Sequence, residues 1–401
     1  MTSAEARQNR WLMAAAIAWM AAFIGLLIHR TGLFSHHPTL ARTTLDVYQL
    51  AGERWLHGEY LYPDRRGFVY GPLFAALFTP FAWLPQKAGV VLWITLNFAV
   101  LVAGFLALLH CGIFPKLAPA PRSAAWLLLL PLALGNLDVL QANPLVCGLI
   151  LAAYAAAWRK HWTAAAICIA LVTHCKIYPL AAGLLLMLFA PWRFSWRLAL
   201  AVLALGLLPF LFQHWDYVRD EYHAWFVTRT GDNRLQYSEK DAPLDLYYVL
   251  SHLAGVTVGP LAYRAMQVLA GGAIALFQLV GIWRRWPREK LFAGSFLSLS
   301  IWMTLIGPAT EAYTYILAAP AAVILLTQSW ARPSSWWIRG LATLGVGFLL
   351  FAVARASFFP HLHTAWAMSA QPLGTIALLS AMVGWIVHYF PEQKRHANGT
   401  C

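Results

Sequence analysis

WLMAAAIAWMAAFIGLLI, Trp11 to Ile28, runs for eighteen residues without a charged or amide side chain. A membrane-crossing helix needs about 20 mostly apolar residues, with roughly 17 as a working minimum, so this stretch is long enough to span. It lacks a small-x-small cleavage site followed by a polar start, which makes it an anchor and not a removable leader. Similar stretches recur at 71–84, 89–110, 124–140, 141–158, 162–174, 177–191, 197–213, 262–282, 291–306, 313–330, 337–354 and 372–389. The chain is 60% hydrophobic and 11% charged, with a mean hydropathy of +0.59. Soluble domains carry about 25% charged residues. The expectation is an all-α, polytopic membrane protein forming one domain over 1–401, with no internal repeat.

The net charge of +13 does not point to nucleic acid, because basic residues in such chains mark cytoplasmic loops. The clusters at Arg159–Lys160, Arg193–Arg197, Arg284–Lys290, Arg332–Arg339 and Lys394–Arg395 then lie inside together with both termini. The segments 31–70 and 214–261 fall outside, the first as an outer catalytic loop and the second as an outer loop of ordinary soluble composition. Thirteen apolar stretches cannot all cross if both ends share a side. The short stretch 71–84 has prolines at 72 and 80 and is read as a half-span or re-entrant segment, leaving about twelve crossings. Five scattered cysteines and twenty tryptophans fit buried thiols and interfacial rings.

The first polar segment after the anchor is TTLDVYQLAGERWLHGEYLYPDRRGFVYGP, Thr43 to Pro72. Leu45, Tyr48 and Trp55 recur at helical spacing, so the segment starts as a short interfacial helix that closes near Gly58. Asp46 falls in its first turn, where free backbone N–H groups favour a carboxylate. It can serve as helix cap or as a base. Arg65 and Arg66 offer forks of donors suited to phosphate; an interfacial belt of snorkelling arginines is the plainer reading. Asn136, Asp138, Gln141 and Asn143 lie between two apolar runs, where polar groups face a cavity or one another. In His174-Cys-Lys176-Ile-Tyr178-Pro179 a lysine sits at the outward tip of a short hairpin, where it needs an anionic partner, either a lipid phosphate or a protein carboxylate. Glu311, near Tyr313 and Tyr315, is either a helix-start residue or a substrate contact. His361 and His363 have no supporting ligand pattern, so no metal is expected.

In order and spacing these residues resemble the polytopic glycosyltransferases of the GT-C superfamily. More narrowly, the chain is similar to glycosyltransferase family 87, which includes polyprenol-phosphate-mannose-dependent alpha-mannosyltransferases. The family pattern stands here as Asp46, Tyr48, Gly58, Leu61-Tyr62, Tyr70-Gly71-Pro72 and Pro80, then Leu140-Gln141-Ala142-Asn143 and Lys176-Ile-Tyr-Pro179. Gly71 stands where the family has proline, and Leu140 where it has glycine.

The resemblance implies a GT-C-like fold and inverting transfer of a sugar, mannose first, from a polyprenyl-phosphate donor to a lipid or glycan acceptor. It places the site on the outer, periplasmic side of a bacterial plasma membrane. Asp46 would be the general base. Tyr62, Arg65, Arg66, Tyr70, Gln141, Asn143, His174, Lys176 and Glu311 would bind substrate, with Lys176 and an arginine on the leaving phosphate. No cofactor is expected besides the lipid-phosphate sugar, and the other partners are membrane lipids. A transporter or flippase of a lipid-linked sugar would use the same cavity, and a non-catalytic scaffold would not need so specific an outer loop.

Overall fold

The computed structural model describes residues 3–32, 43–63, 67–230, 242–307 and 310–389. The chain runs through α1 (Ser3–Thr31), α2 (Thr44–His57), α3 (Pro72–Ala82), α4 (Gln86–Cys111), α5 (Pro119–Asp138), α6 (Asn143–Trp158), α7 (Trp162–Cys175), α8 (Leu180–Phe189), α9 (Pro191–Leu207) and α10 (Trp215–Thr230). It continues through α11 (Leu246–Tyr248), α12 (Pro260–Trp283), α13 (Arg288–Leu305), α14 (Ala319–Ala331), α15 (Trp336–Phe358), α16 (Ala365–Met368) and α17 (Ala370–Tyr389). There is no strand among the described residues. The all-α, polytopic expectation holds.

Six described helices are long and apolar enough to cross a membrane: α1, α4, α9 with its 3-10 extension to Leu211, α12, α15 and α17. About twelve crossings were expected. Of the six expected crossings outside this set, α5 and α13 have 20 and 18 residues, and α6, α7, α8 and α14 are apolar but only 10–17 residues long. These helices are largely enclosed by protein, so packing sets their length more than bilayer thickness does. Sixteen residues in α6 make roughly 24 Å at 1.5 Å per residue. The half-span 71–84 is the eleven-residue α3, roughly 16 Å long and too short to cross. The stretch 313–330 divides into a 3-10 turn, Ala312–Leu317, and α14.

The main core joins α4, α5, α6, α7, α13, α14 and α17. Its tightest crossing is α4 on α6. A Cβ at Gly104 would lie 2.2 Å from the Gly148 carbonyl oxygen, and one at Gly148 would lie 2.3 Å from that of Val100. Small residues let helix backbones touch in this way.

A second cluster gathers the polar segment of the first loop. α2 buries Leu45, Tyr48, Ala51, Gly52 and Trp55, one stripe of a 3.6-residue period. The stripe lies against Phe74, Phe78 and Trp93, with Leu140 and Ala142 at its edge. The helix ends where expected, at Gly58 with φ 65°, and the Glu59 N–H donates to Arg54 O at 2.9 Å. A left-handed residue costs least when it is glycine.

The expected outer loop 214–261 contains α10, which packs back onto this cluster through Val218. Asp216, Arg219 and Asp220 are exposed, and Arg219 pairs with both aspartates. Glu221 is different: it is 3% exposed and accepts the Leu61 N–H at 3.1 Å. Burial pushes its carboxyl up to about 7.

Candidate active site

The site is built on the turn between α5 and α6. The Val139 N–H donates to Gly135 O and the Gln141 N–H to Asn136 O. Between them Leu140 takes φ 60°, a region that side chains other than glycine rarely occupy. Its side chain is 1% exposed, and its carbonyl accepts from Trp93 Nε1 at 2.9 Å. Burial of the leucine offsets the backbone cost, which explains how a leucine stands where the family pattern has glycine.

This turn brings together four residues expected to bind substrate. Lys176 Nζ donates to Asn143 Oδ1 at 2.7 Å. Asn143 Nδ2 donates to Gln141 Oε1 at 2.9 Å and to Asn136 Oδ1 at 3.3 Å. Gln141 Nε2 reaches Glu311 Oε2 at 3.4 Å, a distance at the long end for a hydrogen bond. Lys176 lies 5.8 Å from the centre of the Tyr70 ring, a cation–π contact.

Lys176 forms no ion pair with a carboxylate among the described residues. Burial lowers the pKa of its ammonium; the charge of Glu311 acts against that and the charge of Arg229 adds to it. Of the two partners considered for Lys176, a phosphate or a protein carboxylate, no described carboxylate takes the role.

Asp46 is the third residue of α2 and closes a capping box with Thr43, the N-cap. Its Oδ2 accepts from the Thr43 N–H at 2.6 Å and from Thr43 Oγ1 at 3.2 Å. Among the described residues, its Oδ1 accepts from Gln86 Nε2 at 3.1 Å, in an exposed position. No hydrogen bond or ion pair among the described residues joins Asp46 to the Lys176 network. The link runs through α2: the Thr44 N–H donates to Val139 O at 3.3 Å, and Tyr48 Oη accepts the Ala142 N–H at 3.3 Å. Tyr48 and Tyr70 share a hydrogen bond of 2.7 Å, and burial raises both phenols so that they stay neutral.

The other expected residues are placed differently. Tyr62 Oη donates to Tyr70 O at 2.8 Å inside the aromatic cluster, so it shapes the loop. His174 is buried and turns towards α9, with Nε2 at 3.0 Å from Val202 O. It takes no part in the Lys176 network. Arg65 and Arg66 lie outside the described residues.

Asp138 is held by a bidentate pair with Arg30, at 2.8 and 2.6 Å, which joins the ends of α1 and α5. That geometry is the strong form of an ion pair, and it uses both carboxylate oxygens. Gln86 and Arg229 were not singled out by sequence reasoning. Nothing marks Gln86, and Arg229 reads as one loop charge among many. Among the described residues, no cluster of three or more metal-ligating side chains occurs.

A family model described as glycosyltransferase family 87 matches residues 68–308, more than half of the chain. The matched region holds Tyr70, Gln141, Asn143, His174 and Lys176, whereas Asp46 and Glu311 flank it. Over 340 residues the chain is 24% identical to the polyprenol-phosphate-mannose-dependent alpha-(1-2)-phosphatidylinositol mannoside mannosyltransferase of Mycobacterium tuberculosis (strain ATCC 25618 / H37Rv), covering 79% of this chain and 77% of the relative. A protein of the same description from Mycolicibacterium smegmatis (strain ATCC 700084 / mc(2)155) is 34% identical over 102 residues, 21% of this chain and 23% of the relative. Among solved structures, ArnT from Cupriavidus metallidurans in the apo state aligns with a TM-score of 0.45 at 13% identity, covering 94% of this chain and 77% of that one. The same protein bound to undecaprenyl phosphate aligns with a TM-score of 0.42, also at 13% identity and the same coverage.

Proposed function

The chain belongs to glycosyltransferase family 87, and on that premise we propose that it moves a sugar, mannose first, from a polyprenyl-phosphate donor to a hydroxyl of a lipid or glycan acceptor. The observation that carries this reading is Lys176. It is a half-buried ammonium whose hydrogen-bonding partner is an amide, with no described carboxylate in contact. A cation desolvated in this way is ready for an anion brought by the substrate. The polyprenol-phosphate mannose named for the relative in Mycobacterium tuberculosis supplies one as the leaving phosphate.

In this reading the acceptor oxygen attacks the anomeric carbon while Asp46 Oδ1, whose described partner is the exposed Gln86 amide, takes the hydroxyl proton. The bond from the anomeric carbon to the phosphate oxygen breaks. The electron pair leaves with the phosphate monoester, whose charge Lys176 stabilises in a poorly solvated site. Attack opposite the leaving group inverts the anomeric configuration. Asn143 and Gln141 orient the lysine. Arg65 and Arg66 would reinforce the phosphate end, and no metal or cofactor is called for. Basic-residue bias places this end of the molecule on the outer, periplasmic face with both termini inside.

The test uses full-length protein in vesicles with radiolabelled polyprenyl-phosphate mannose and a mixed lipid acceptor pool. Labelled mannose covalently joined to an acceptor is expected. Movement of intact donor across the bilayer with no covalent product would replace the proposal with the flippase reading.

A further inference from the structure

The far end of α6 and α7 carries a cavity that glycosyl transfer does not use. Its volume is about 390 Å³, and its lining includes Lys160, Trp162, Trp192, Arg193, Arg288 and Phe292. A smaller cavity beside it shares Lys160 and Trp162 and adds His161 and Arg197. Four full positive charges surround the pair, and no carboxylate among the described residues lines either one. Since α6 has sixteen residues, this end lies roughly 24 Å from Asn143.

A general bias towards basic loops puts cations on one side of a membrane, but it does not gather them around a concavity or hold them in place. Here both occur. Lys160 ends α6 with φ 63°, and the His161 N–H donates to Ala156 O at 2.8 Å. Glycine fills such a position without strain, so the lysine is kept against its backbone preference. Arg288 Nη2 donates to Trp158 O at 2.6 Å, and its guanidinium lies 4.3 Å from the Trp158 ring centre, which fixes its direction. Trp192 is 90% exposed and Trp196 54%. Exposed indoles of this kind sit at the headgroup level of a bilayer.

We propose that this cavity is a second anion site that binds a phosphate group, either on a lipid headgroup or free in solution. Lysine and arginine supply charge and planar donor geometry for phosphate oxygens. The tryptophans would pack on the glycerol and upper chain of a lipid. The inference is independent of the reading of Lys176.

The test is native mass spectrometry of the detergent-purified full chain with phosphatidic acid, and with zwitterionic phosphatidylcholine as control. Lys176→Met is the background, so that the transfer site cannot contribute. Selective retention of phosphatidic acid is expected there. It should weaken roughly tenfold or more when K160G and R193Q are added. The glycine removes the charge while relieving the backbone, and Arg193 is exposed, so the variant should fold; R193Q alone provides a milder second variant. Competition by inorganic phosphate would identify free phosphate as a sufficient ligand, and its failure would identify the lipid. Unchanged retention in both variants, or loss of retention on Lys176→Met alone, would overturn the proposal.

Discussion

Lys176 Nζ and Asn143 Oδ1, 2.7 Å apart, tie the tip between α7 and α8 to the first turn of α6. One bond therefore aims the cation and anchors the hairpin that carries it. Lys176→Met keeps the apolar stem and removes the charge. Transfer from a polyprenyl-phosphate donor is expected to fall by roughly tenfold or more, as one charge-assisted contact is lost. Steady-state kinetics against donor concentration would measure this, and unchanged donor kinetics would remove the lysine from the phosphate role.

The same ammonium gives a pH dependence. Burial lowers its pKa, so it loses its proton below the pH at which an ordinary lysine does. Activity that needs the charged form should decline on the alkaline side at a pH below the usual lysine range, and Lys176→Arg should move that limb upward. A pH–rate profile of both proteins distinguishes this from general alkaline inactivation.

Asp46→Asn retains the shape and an acceptor for the Thr43 N–H, so α2 should still start at the same residue. If the carboxylate is the base, transfer falls by roughly 10²–10⁴-fold with little change in melting temperature. Asp46→Ala should lose the cap as well and melt lower. Near-normal turnover by a folded Asp46→Asn protein would leave only the capping role.

Leu140 provides a test of backbone strain. Replacement by alanine keeps the left-handed cost, about 1–2 kcal/mol, and gives up most of a buried side chain, roughly 1.5–3 kcal/mol. Replacement by glycine gives up the side chain but relieves the strain. Leu140→Gly should therefore be more stable than Leu140→Ala, the reverse of the usual order in regular structure. Thermal melts in detergent decide the order.

Glu221 connects α10 to the first loop, and its carboxyl is raised to about 7 by burial. The folded state holds this proton more tightly than the unfolded chain, whose glutamates ionise near 4.5. Its contribution to stability is thus greatest at low pH. It decreases as pH rises from about 4.5 to about 7 and is then constant. Glu221→Gln should flatten that part of the profile. Protease sensitivity of the α10 region between pH 5 and about 8 would follow the effect.

The helices were legible because an uncharged eighteen-residue run and its repeats leave little alternative to a spanning helix. α2 was legible from three apolar residues at helical spacing and a closing glycine. The short helices α6 and α7 were also legible, as the stretches 141–158 and 162–174; how they pack was not, because hydropathy does not see neighbours. At the site, Lys176, Gln141, Asn143 and Glu311 could be named from residue type and position, yet only the fold shows Asn143 at the centre of their bonds. His174 illustrates the opposite case: it lies two residues from Lys176, but the end of α7 turns it towards Val202. Glu221 looked like another solvated charge, since nothing local records that α10 folds back over Leu61.

The shortness of α6 has an energetic consequence for the polyprenyl-linked donor of the proposed reaction. Whatever its tilt, a helix of sixteen residues keeps its ends within roughly 24 Å in depth, less than a hydrocarbon layer of about 30 Å. Each CH₂ drawn from lipid into water costs about 0.8 kcal/mol. A phosphate that meets its cation below the rim of the bilayer leaves its chain dissolved in lipid, so no extraction work is set against binding.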